Sequence, residues 1–164
     1  MTDQIQSAVT ELLEQHTIPY DVITIPLSED KKPIRELEQW LISHGRDPAS
    51  VVRSLLFRCG SGAFALLAAA GGGRADWATL RKQLNERKLT MADFEEVEQA
   101  TGYVVGAVPP IALPSEVTTL LDNSIARYDD VIIGSGVLGY AIGVSSQDLQ
   151  NLMAAANRGD FIKT

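Results

Sequence analysis

One arginine lies where the sequence predicts a buried strand, and it is the first candidate for ligand chemistry. Arg53 falls within residues 51–57, whose other members are almost all apolar. Removing a guanidinium from water is costly unless the group gains a partner. We therefore expect Arg53 to point into a cavity whose ligand requires a cation. The alternative is an arginine at a strand end that reaches solvent or pairs with a carboxylate.

A proline-containing loop is the second candidate for ligand binding. Residues 102–110 read Gly-Tyr-Val-Val-Gly-Ala-Val-Pro-Pro, which is too apolar for a simple surface connection. Pro109 and Pro110 stiffen this chain, and Gly106 leaves backbone amides open to an incoming oxygen atom. The segment is therefore predicted to be a binding loop.

Two glycine-rich segments resemble nucleotide-binding motifs but lack the context that these motifs require. Residues 134–139 match the Gly-x-Gly-x-x-Gly dinucleotide fingerprint, yet a strand is predicted to follow where a helix should begin. We interpret them as a turn between two strands, which can still line a pocket because glycine allows close approach of a ligand. Residues 71–74 lack the Gly-Lys-Ser/Thr ending of a phosphate-binding loop.

Histidine and cysteine are too scarce to indicate a metal centre or a nucleophilic triad. His16 and His44 fall near the predicted C-terminal ends of helices, where a histidine complements the helix dipole. The single cysteine, Cys59, lies in a predicted hairpin turn without a neighbouring histidine and is interpreted as a plain thiol. We therefore expect no metal site and no cofactor.

The composition indicates one globular domain over residues 1–164, since the length suits a single domain and 45% of the residues are hydrophobic. The net charge of −7 argues against tight non-specific binding of nucleic acid. A chain with this net charge can still carry a local basic patch. No apolar run is long enough to cross a membrane, and the N-terminus lacks the features of a signal peptide. We therefore expect a cytoplasmic protein with no membrane partner.

The elements that must position these candidates follow from apolar periodicity and from capping residues. Helices are predicted over residues 5–13, from Lys31-Lys32-Pro33 to Gly45, after Asp76, from a capping box of Thr90 with Asp93 to Gly102, and after Ser145. Strands are predicted over residues 20–25, 51–57, 63–70, 117–121, 131–133 and 140–144, the second and third joined by a tight turn. This irregular alternation favours an α+β (mixed α/β) fold, with a central mixed sheet covered by helices.

The order of these elements and several motifs resemble the YbaK-type aminoacyl-tRNA editing domains. These domains occur as free-standing proteins and as the insertion domain of bacterial prolyl-tRNA synthetases. The resemblance covers roughly residues 5–155. Its most specific part is Thr-Gly-Tyr-x-x-Gly-x-x-Pro-Pro, in which Gly106 and Pro110 occupy the defining places of the family's Gly-x-x-x-Pro loop. The fold implied by the resemblance is a barrel-like mixed sheet surrounded by helices.

The resemblance also implies an activity and a set of residues. Family members hydrolyse the ester that joins a wrong amino acid to the terminal adenosine of a tRNA, using an ordered water and the ribose hydroxyl of the substrate. Gly106 would hold the carbonyl, and Arg53 stands where the family has a strand lysine, so both are assigned to catalysis. Substrate-binding roles are assigned to Leu55, Gly102, Tyr103, Pro110, Asp122, Gly134, Ser135 and Gly136.

The chain departs from the family at two further positions. The functional serine of many relatives falls on Gly134, or on Ser135 if the alignment is shifted by one residue, and a family aspartate is replaced by Ala141. The implied function is a free-standing deacylase of tRNA that carries a wrong, small amino acid. Its implied partners are the acceptor end of aminoacyl-tRNA and a synthetase that delivers it. One alternative is a relative that binds an aminoacyl-tRNA end, a nucleotide or a partner protein without turnover. The other is a hydrolase of small esters or thioesters.

Overall fold

Short polar side chains begin most of the helices. The computed structural model of the chain describes residues 5–27 and 37–163. Within them Ser7, Asp76, Asp93 and Ser145 each accept a hydrogen bond from a backbone N–H of the first helical turn, which satisfies a donor without a helical partner. The helices are α1 (Ala8–Gln15), α2 (Leu37–Ser43), α3 (Trp77–Leu84), α4 (Phe94–Thr101) and α5 (Ser146–Leu152).

One detail of the helix prediction is wrong, and another cannot be compared with the structure. The capping box of α4 joins Asp93 to Glu96, so the predicted box of Thr90 with Asp93 is wrong. Thr90 lies instead in a short strand that pairs with Arg58. The predicted start of α2 at Lys31-Lys32-Pro33 lies outside the described residues.

All six predicted strands are present, with shifts of a few residues at their ends. The strands are β1 (Tyr20–Thr24), β2 (Arg53–Cys59), β3 (Phe64–Ala69), β4 (Arg74–Ala75), β5 (Leu89–Met91), β6 (Thr118–Asp122), β7 (Asp130–Gly134), β8 (Tyr140–Ser145), β9 (Asn157–Gly159) and β10 (Ile162–Lys163). The four strands without a prediction, β4, β5, β9 and β10, have two or three residues each. Such short segments are below the length at which an alternating pattern can be recognised.

The strands form a mixed α/β architecture, which confirms the predicted fold class. A five-stranded sheet has the order β5-β2-β3-β6-β9, a three-stranded sheet has the order β1-β8-β7, and β4 pairs with β10. The hairpin β2–β3 is antiparallel, whereas β3–β6 and β6–β9 are parallel. Across the described ranges these sheets do not close into a barrel, so the barrel-like closure is not seen.

The turn at residues 134–139 connects two antiparallel strands. Strand β7 ends at Gly134 and β8 begins at Tyr140, and the two strands pair directly. No helix follows the glycines, so the sequence interpretation of a turn rather than a dinucleotide-binding motif is confirmed.

Strand β2 changes neighbours along its length, and this leaves part of its edge open. Beyond its N-terminal end, the N–H of Val52 donates to the carbonyl of Ile132 in β7 at 2.7 Å. Further along, the carbonyl of Leu56 accepts from the N–H of Ala92 at 3.0 Å, just after β5. Between these two bonds, β2 pairs with β3 on one side, and no described residue pairs with its other side.

Alternate side chains of β2 pack on opposite faces of the sheet. Phe57 belongs to an apolar cluster with Leu80 of α3, whereas Leu56 belongs to another with Val97 of α4. Since successive side chains of a strand point to opposite faces, Arg53 shares the face of Leu55 and Phe57. Ser54 shares the face of Leu56.

A buried carboxylate holds the end of β6 against the C-terminal segment. Asp122 is 4% exposed, and its two oxygens accept from the N–H groups of Ser124 at 2.9 Å and Phe161 at 2.7 Å. Both donors would lose their partner without this side chain. Asp122 is thus tied into the fold by two hydrogen bonds.

We predict that Asp122→Ala lowers the free energy of unfolding by about 2–4 kcal/mol, because two buried N–H groups lose their acceptor. Asp129→Ala, at an exposed carboxylate immediately before β7, should change it by less than about 0.5 kcal/mol. Urea denaturation of both variants measures the difference. Equal stability of the two variants would contradict the structural role of Asp122.

Candidate active site

A cavity of about 420 Å³ opens at the unpaired edge of β2. This β2-edge cavity lies between β2, the turn after β7 and the loop that follows α4, and helices α2 and α4 contribute further apolar side chains. Its volume is within the range of small-molecule sites in proteins. Its wall includes Arg53, Ser54, Leu55, Phe94, Gly106 and Gly134.

Ser54 places unpaired polar groups in this mostly apolar wall. Its Oγ is buried and has no hydrogen-bond partner among the described residues. Its backbone N–H and C=O point away from β3, because backbone groups alternate along a strand and those of Val52 and Leu56 point that way. Neither group is hydrogen-bonded within the part of the chain that the structure describes. Ser54 therefore offers two donors and two acceptors to a ligand.

Arg53 adds a positive charge to the same wall. One of its terminal nitrogens, Nη2, donates to the carbonyl of Gly72 at 3.0 Å, while its Nε is buried without a partner in the described ranges. No carboxylate of residues 5–27 or 37–163 lies within ion-pair distance of Arg53. Arg53 therefore borders the cavity, and its Nη2 is held by a neutral carbonyl rather than by an acid.

The loop after α4 is held in shape from both ends. Gly102 ends α4 with a left-handed backbone at φ 82°, and the hydroxyl of Tyr103 donates to the carbonyl of Ala112 at 2.7 Å. Burial raises the pKa of the Tyr103 hydroxyl above its ordinary value, which keeps this donor protonated. Gly106 lies at the tip with φ 98°, a conformation that other residues rarely adopt, and borders the cavity.

The Gly106 amide is free to meet a ligand. It donates to no acceptor among the described residues, whereas the next amide, that of Ala107, closes a turn on the carbonyl of Val104 at 3.0 Å. An open amide beside an apolar cavity is suited to bind a carbonyl oxygen or an oxyanion.

The turn after β7 packs directly against this loop. A Cβ atom on Gly134 would lie 2.3 Å from the carbonyl oxygen of Val108, so only glycine fits without a backbone shift. The N–H of Gly136 donates to the carbonyl of Ala107 at 2.9 Å, and a Cβ on Gly136 would lie 2.9 Å from the ring of Tyr103. The loop and the turn thus form one wall of the cavity.

Ser135 uses its hydroxyl within the turn. The side chain is fully buried, and its Oγ lies 2.7 Å from the carbonyl of Tyr140 and accepts from the N–H of Val137 at 3.0 Å. Its hydroxyl thus fixes the path of the turn between β7 and β8.

The structure brings only part of the predicted site together. Four of the predicted residues border the β2-edge cavity: Arg53, Leu55, Gly106 and Gly134. The others lie outside its wall: Gly102, Tyr103, Pro110, Asp122, Ser135 and Gly136. Of these, Gly102, Tyr103 and Gly136 shape the loop and the turn, so their contact with the site is indirect. The functional roles of all ten residues stay predictions.

Sequence reasoning missed Ser54 and the exposed apolar residues at the mouth. Ser54, like Arg53, is a polar residue within an apolar strand, and this signal could have identified it. Phe94 is 65% exposed, and only the fold shows that it stands at the cavity.

The described ranges contain no group of three His, Cys, Asp or Glu side chains that could hold a metal ion. Nor is any described helix long and apolar enough to cross a membrane.

Comparison with known proteins identifies the class to which this fold and cavity belong. Residues 31–152 match the family model of the aminoacyl-tRNA editing domain, which is most of the chain. The chain therefore belongs to the aminoacyl-tRNA editing domain family.

Individual relatives are free-standing proteins and parts of larger enzymes. The chain is 23% identical over 141 residues to an Enterococcus faecalis protein named "Putative Cys-tRNA(Pro)/Cys-tRNA(Cys) deacylase EbsC", covering 86% of this chain and 84% of the relative. It is 28% identical over 120 residues to the proline–tRNA ligase of Thermoanaerobacter sp. strain X514, covering 72% of this chain. It spans only 21% of that ligase.

Solved structures share the fold over nearly the whole chain. The hypothetical protein APE2540 superimposes with a TM-score of 0.80 at 21% identity, covering 96% of this chain and all of that structure. A "putative trans-editing enzyme for prolyl tRNA synthetase" superimposes with a TM-score of 0.75 at 22% identity, covering 98% of this chain and all of that structure. At these identities the likeness establishes the fold.

We predict that Gly134→Ala lowers the free energy of unfolding by about 2 kcal/mol or more, because the new methyl group would collide with the Val108 carbonyl. Gly143→Ala is the matched control, since its nearest neighbour is the flexible end of Arg46 at 3.0 Å. Urea denaturation compares the two variants. A Gly134→Ala protein as stable as the control would contradict the close packing of loop and turn.

Proposed function

We propose that this chain is a free-standing hydrolase that removes a wrong, small amino acid from tRNA. The observation that carries the proposal is the apolar β2-edge cavity with Arg53, Ser54 and the Gly106 amide on its wall. Membership of the editing family supports the substrate class, and the name of the Enterococcus faecalis relative supports deacylation.

Steric exclusion supports the restriction to small amino acids. The cavity wall includes Leu55, Ile133 and Gly106, and Gly134 packs closely on Val108 in the same wall. A hydrolytic site that admits only small acyl groups discards wrong products and spares larger correct ones, which is the principle of an editing sieve. We therefore expect alanyl, seryl or cysteinyl esters to enter and bulky aminoacyl esters to be excluded.

The chemistry requires an ordered water more than a protein base. The described part of the cavity wall contains no histidine, lysine or carboxylate. In the proposed reaction a water oxygen attacks the ester carbonyl and forms a tetrahedral intermediate, and the bond from the acyl carbon to the ribose oxygen then breaks. The ribose oxygen takes a proton and leaves as a hydroxyl, while the amino acid leaves as its carboxylate. The family resemblance implies that the neighbouring ribose hydroxyl of the substrate takes part in this reaction.

Three groups of this chain would act on that reaction. The Gly106 amide would donate to the carbonyl oxygen as it becomes negative, and such a donor typically contributes 10²–10³-fold to turnover. Arg53 would stabilise the same charge or a neighbouring phosphate, because its guanidinium stays charged. Ser54 would orient the acyl group or the water through its free hydroxyl and backbone groups.

The proposed editing role also supports a cellular compartment and a partner protein. We propose that the protein acts in the cytoplasm, where tRNA is charged, and that a synthetase presents the substrate. The net charge of −7 supports delivery by a partner, because an acidic protein gains little from long-range attraction to tRNA.

One observation favours a second candidate, binding without turnover. Arg53 donates to Gly72 and replaces a family lysine, and Ala141 in the cavity wall replaces a family aspartate. A binding protein with this site would hold the aminoacyl end but leave the ester intact.

We predict rapid deacylation of tRNA charged with one or two of alanine, cysteine, serine, proline and threonine. Arg53→Ala and Ser54→Ala should each reduce the rate, by roughly 100-fold for Arg53→Ala if it stabilises the developing oxyanion. Arg127→Ala is the control, because this exposed arginine follows β6 and lies outside the cavity wall. The assay follows loss of labelled amino acid from purified tRNA.

Two outcomes would contradict the proposal. If each charged tRNA stays intact as long as in buffer, the chain is not a deacylase. Activity that appears only in Arg53→Lys would then support the binding candidate. If small generic esters are cleaved as fast as aminoacyl-tRNA, the chain is a small-ester hydrolase instead.

A further inference from the structure

The mouth of the β2-edge cavity carries exposed apolar side chains that the deacylation chemistry does not use. Met91, Phe94 and Val105 are 48%, 65% and 40% exposed, and all three border the cavity. Large apolar side chains grouped on a surface typically mark a binding site. Their position at the entrance means that a ligand whose end lies inside the cavity must pass over them.

Phe94 is the aromatic member of this rim. It is the first residue of α4, and the capping box of Asp93 with Glu96 fixes the backbone on either side of it. The ring is therefore presented to solvent from a firmly held position, at little entropic cost to a partner that stacks on it. Aromatic side chains held in this way bind nucleic-acid bases by stacking.

Two exposed cations lie next to β5, the short strand that ends at the rim residue Met91. Arg87 and Lys88 immediately precede β5, and both are exposed without an ion pair to any described residue. From Lys88 to Met91 the chain advances three residues along a strand, about 10 Å. β5 is also an edge strand, so nothing in the described sheet covers its outer side.

The neighbouring carboxylates only partly offset this positive charge. Glu96 pairs with Arg58, and Glu86 accepts from the hydroxyl of Ser61. Asp93 accepts from the N–H of Glu96, while Glu95 is exposed on the first turn of α4. A phosphate would therefore be favoured beside Arg87 and Lys88, and a neutral base beside Phe94.

We propose that the 3′ end of the tRNA lies along β5, with its terminal base stacked on Phe94 and the preceding phosphates beside Arg87 and Lys88. This inference rests on the proposed function, since it starts from the acyl group in the β2-edge cavity. It explains how an acidic protein selects a tRNA end: two local cations and one aromatic ring act where the substrate enters.

The test measures binding rather than hydrolysis, so it also stands if the chain proves to bind without turnover. A fluorescent, uncharged acceptor minihelix is titrated with wild type, Phe94→Ala and Phe94→Trp, and with the controls Ile42→Ala and Arg127→Ala. Ile42 is 61% exposed but outside the cavity wall, and Arg127 is an exposed cation that follows β6, on the far side of β3 from β5. Phe94→Ala should weaken binding about 5- to 100-fold, while Phe94→Trp retains it.

A second minihelix that lacks the terminal base makes the stacking claim specific. Removing the base should weaken binding to wild type but leave binding to Phe94→Ala nearly unchanged, because the two changes remove the same contact. For Arg87→Ala with Lys88→Ala, the slope of log affinity against log salt should fall by about 1.4, as expected for two phosphates of a single strand.

The two parts of the proposal fail separately. Additive effects of base removal and Phe94→Ala would overturn the stacking contact. A salt slope unchanged by the double variant would overturn the phosphate path. Failure of the proposed function has a different signature, in which the minihelix binds as predicted but charged tRNA stays intact.

Discussion

The site depends on one constraint, the interrupted pairing of β2. Two hydrogen bonds, from Val52 to Ile132 and from Ala92 to Leu56, attach this strand to different neighbours on its outer side. Between them no described residue pairs with this edge, so the backbone of Ser54 faces a cavity instead of another described strand. In most sheets such an edge would be paired or covered. Here it supplies polar backbone groups to a mostly apolar wall, beside the partly buried guanidinium of Arg53.

The opposite wall depends on close backbone packing. Gly134 and Gly136 bring the turn after β7 against the loop that carries Gly106, and the hydroxyl of Tyr103 secures the far end of that loop. The amide of Gly106 therefore stands in a fixed position before any ligand arrives. Groups placed in advance stabilise developing charge without having to reorganise during the reaction. The glycines allow this close packing, whereas the Gly106 amide, Arg53 and Ser54 are the groups proposed to act on the substrate.

Much of the fold could be predicted from the sequence because its signals are local. Asp76 and Ser145 identify helix starts, and the apolar runs on both sides of Cys59 identify the hairpin β2–β3. The resemblance to the editing family also placed Arg53 and Gly106, both of which border the cavity. Short strands such as β5 escaped prediction, since their pairing is decided by distant parts of the chain.

The rest of the site could not be predicted, because it arises from contacts between segments far apart in sequence. The open edge at Ser54 exists only because β7 and β5 meet the same strand at different places. The exposure of Phe94 at the cavity mouth depends on the same arrangement. Asp122 shows the opposite difficulty: the family resemblance implied that it binds substrate, while its hydrogen bonds to Ser124 and Phe161 tie it into the fold.

The central claim is that the open edge of β2 and the Gly106 loop hold the aminoacyl end of a tRNA. The most direct measurement is an NMR titration of ¹⁵N-labelled protein with an alanyl-adenosine analogue whose ester is replaced by an amide. We expect the amide signals of Ser54 and Gly106 to shift together and saturate, while that of Arg58 stays in place. Saturable shifts elsewhere, with Ser54 and Gly106 unchanged, would contradict the account.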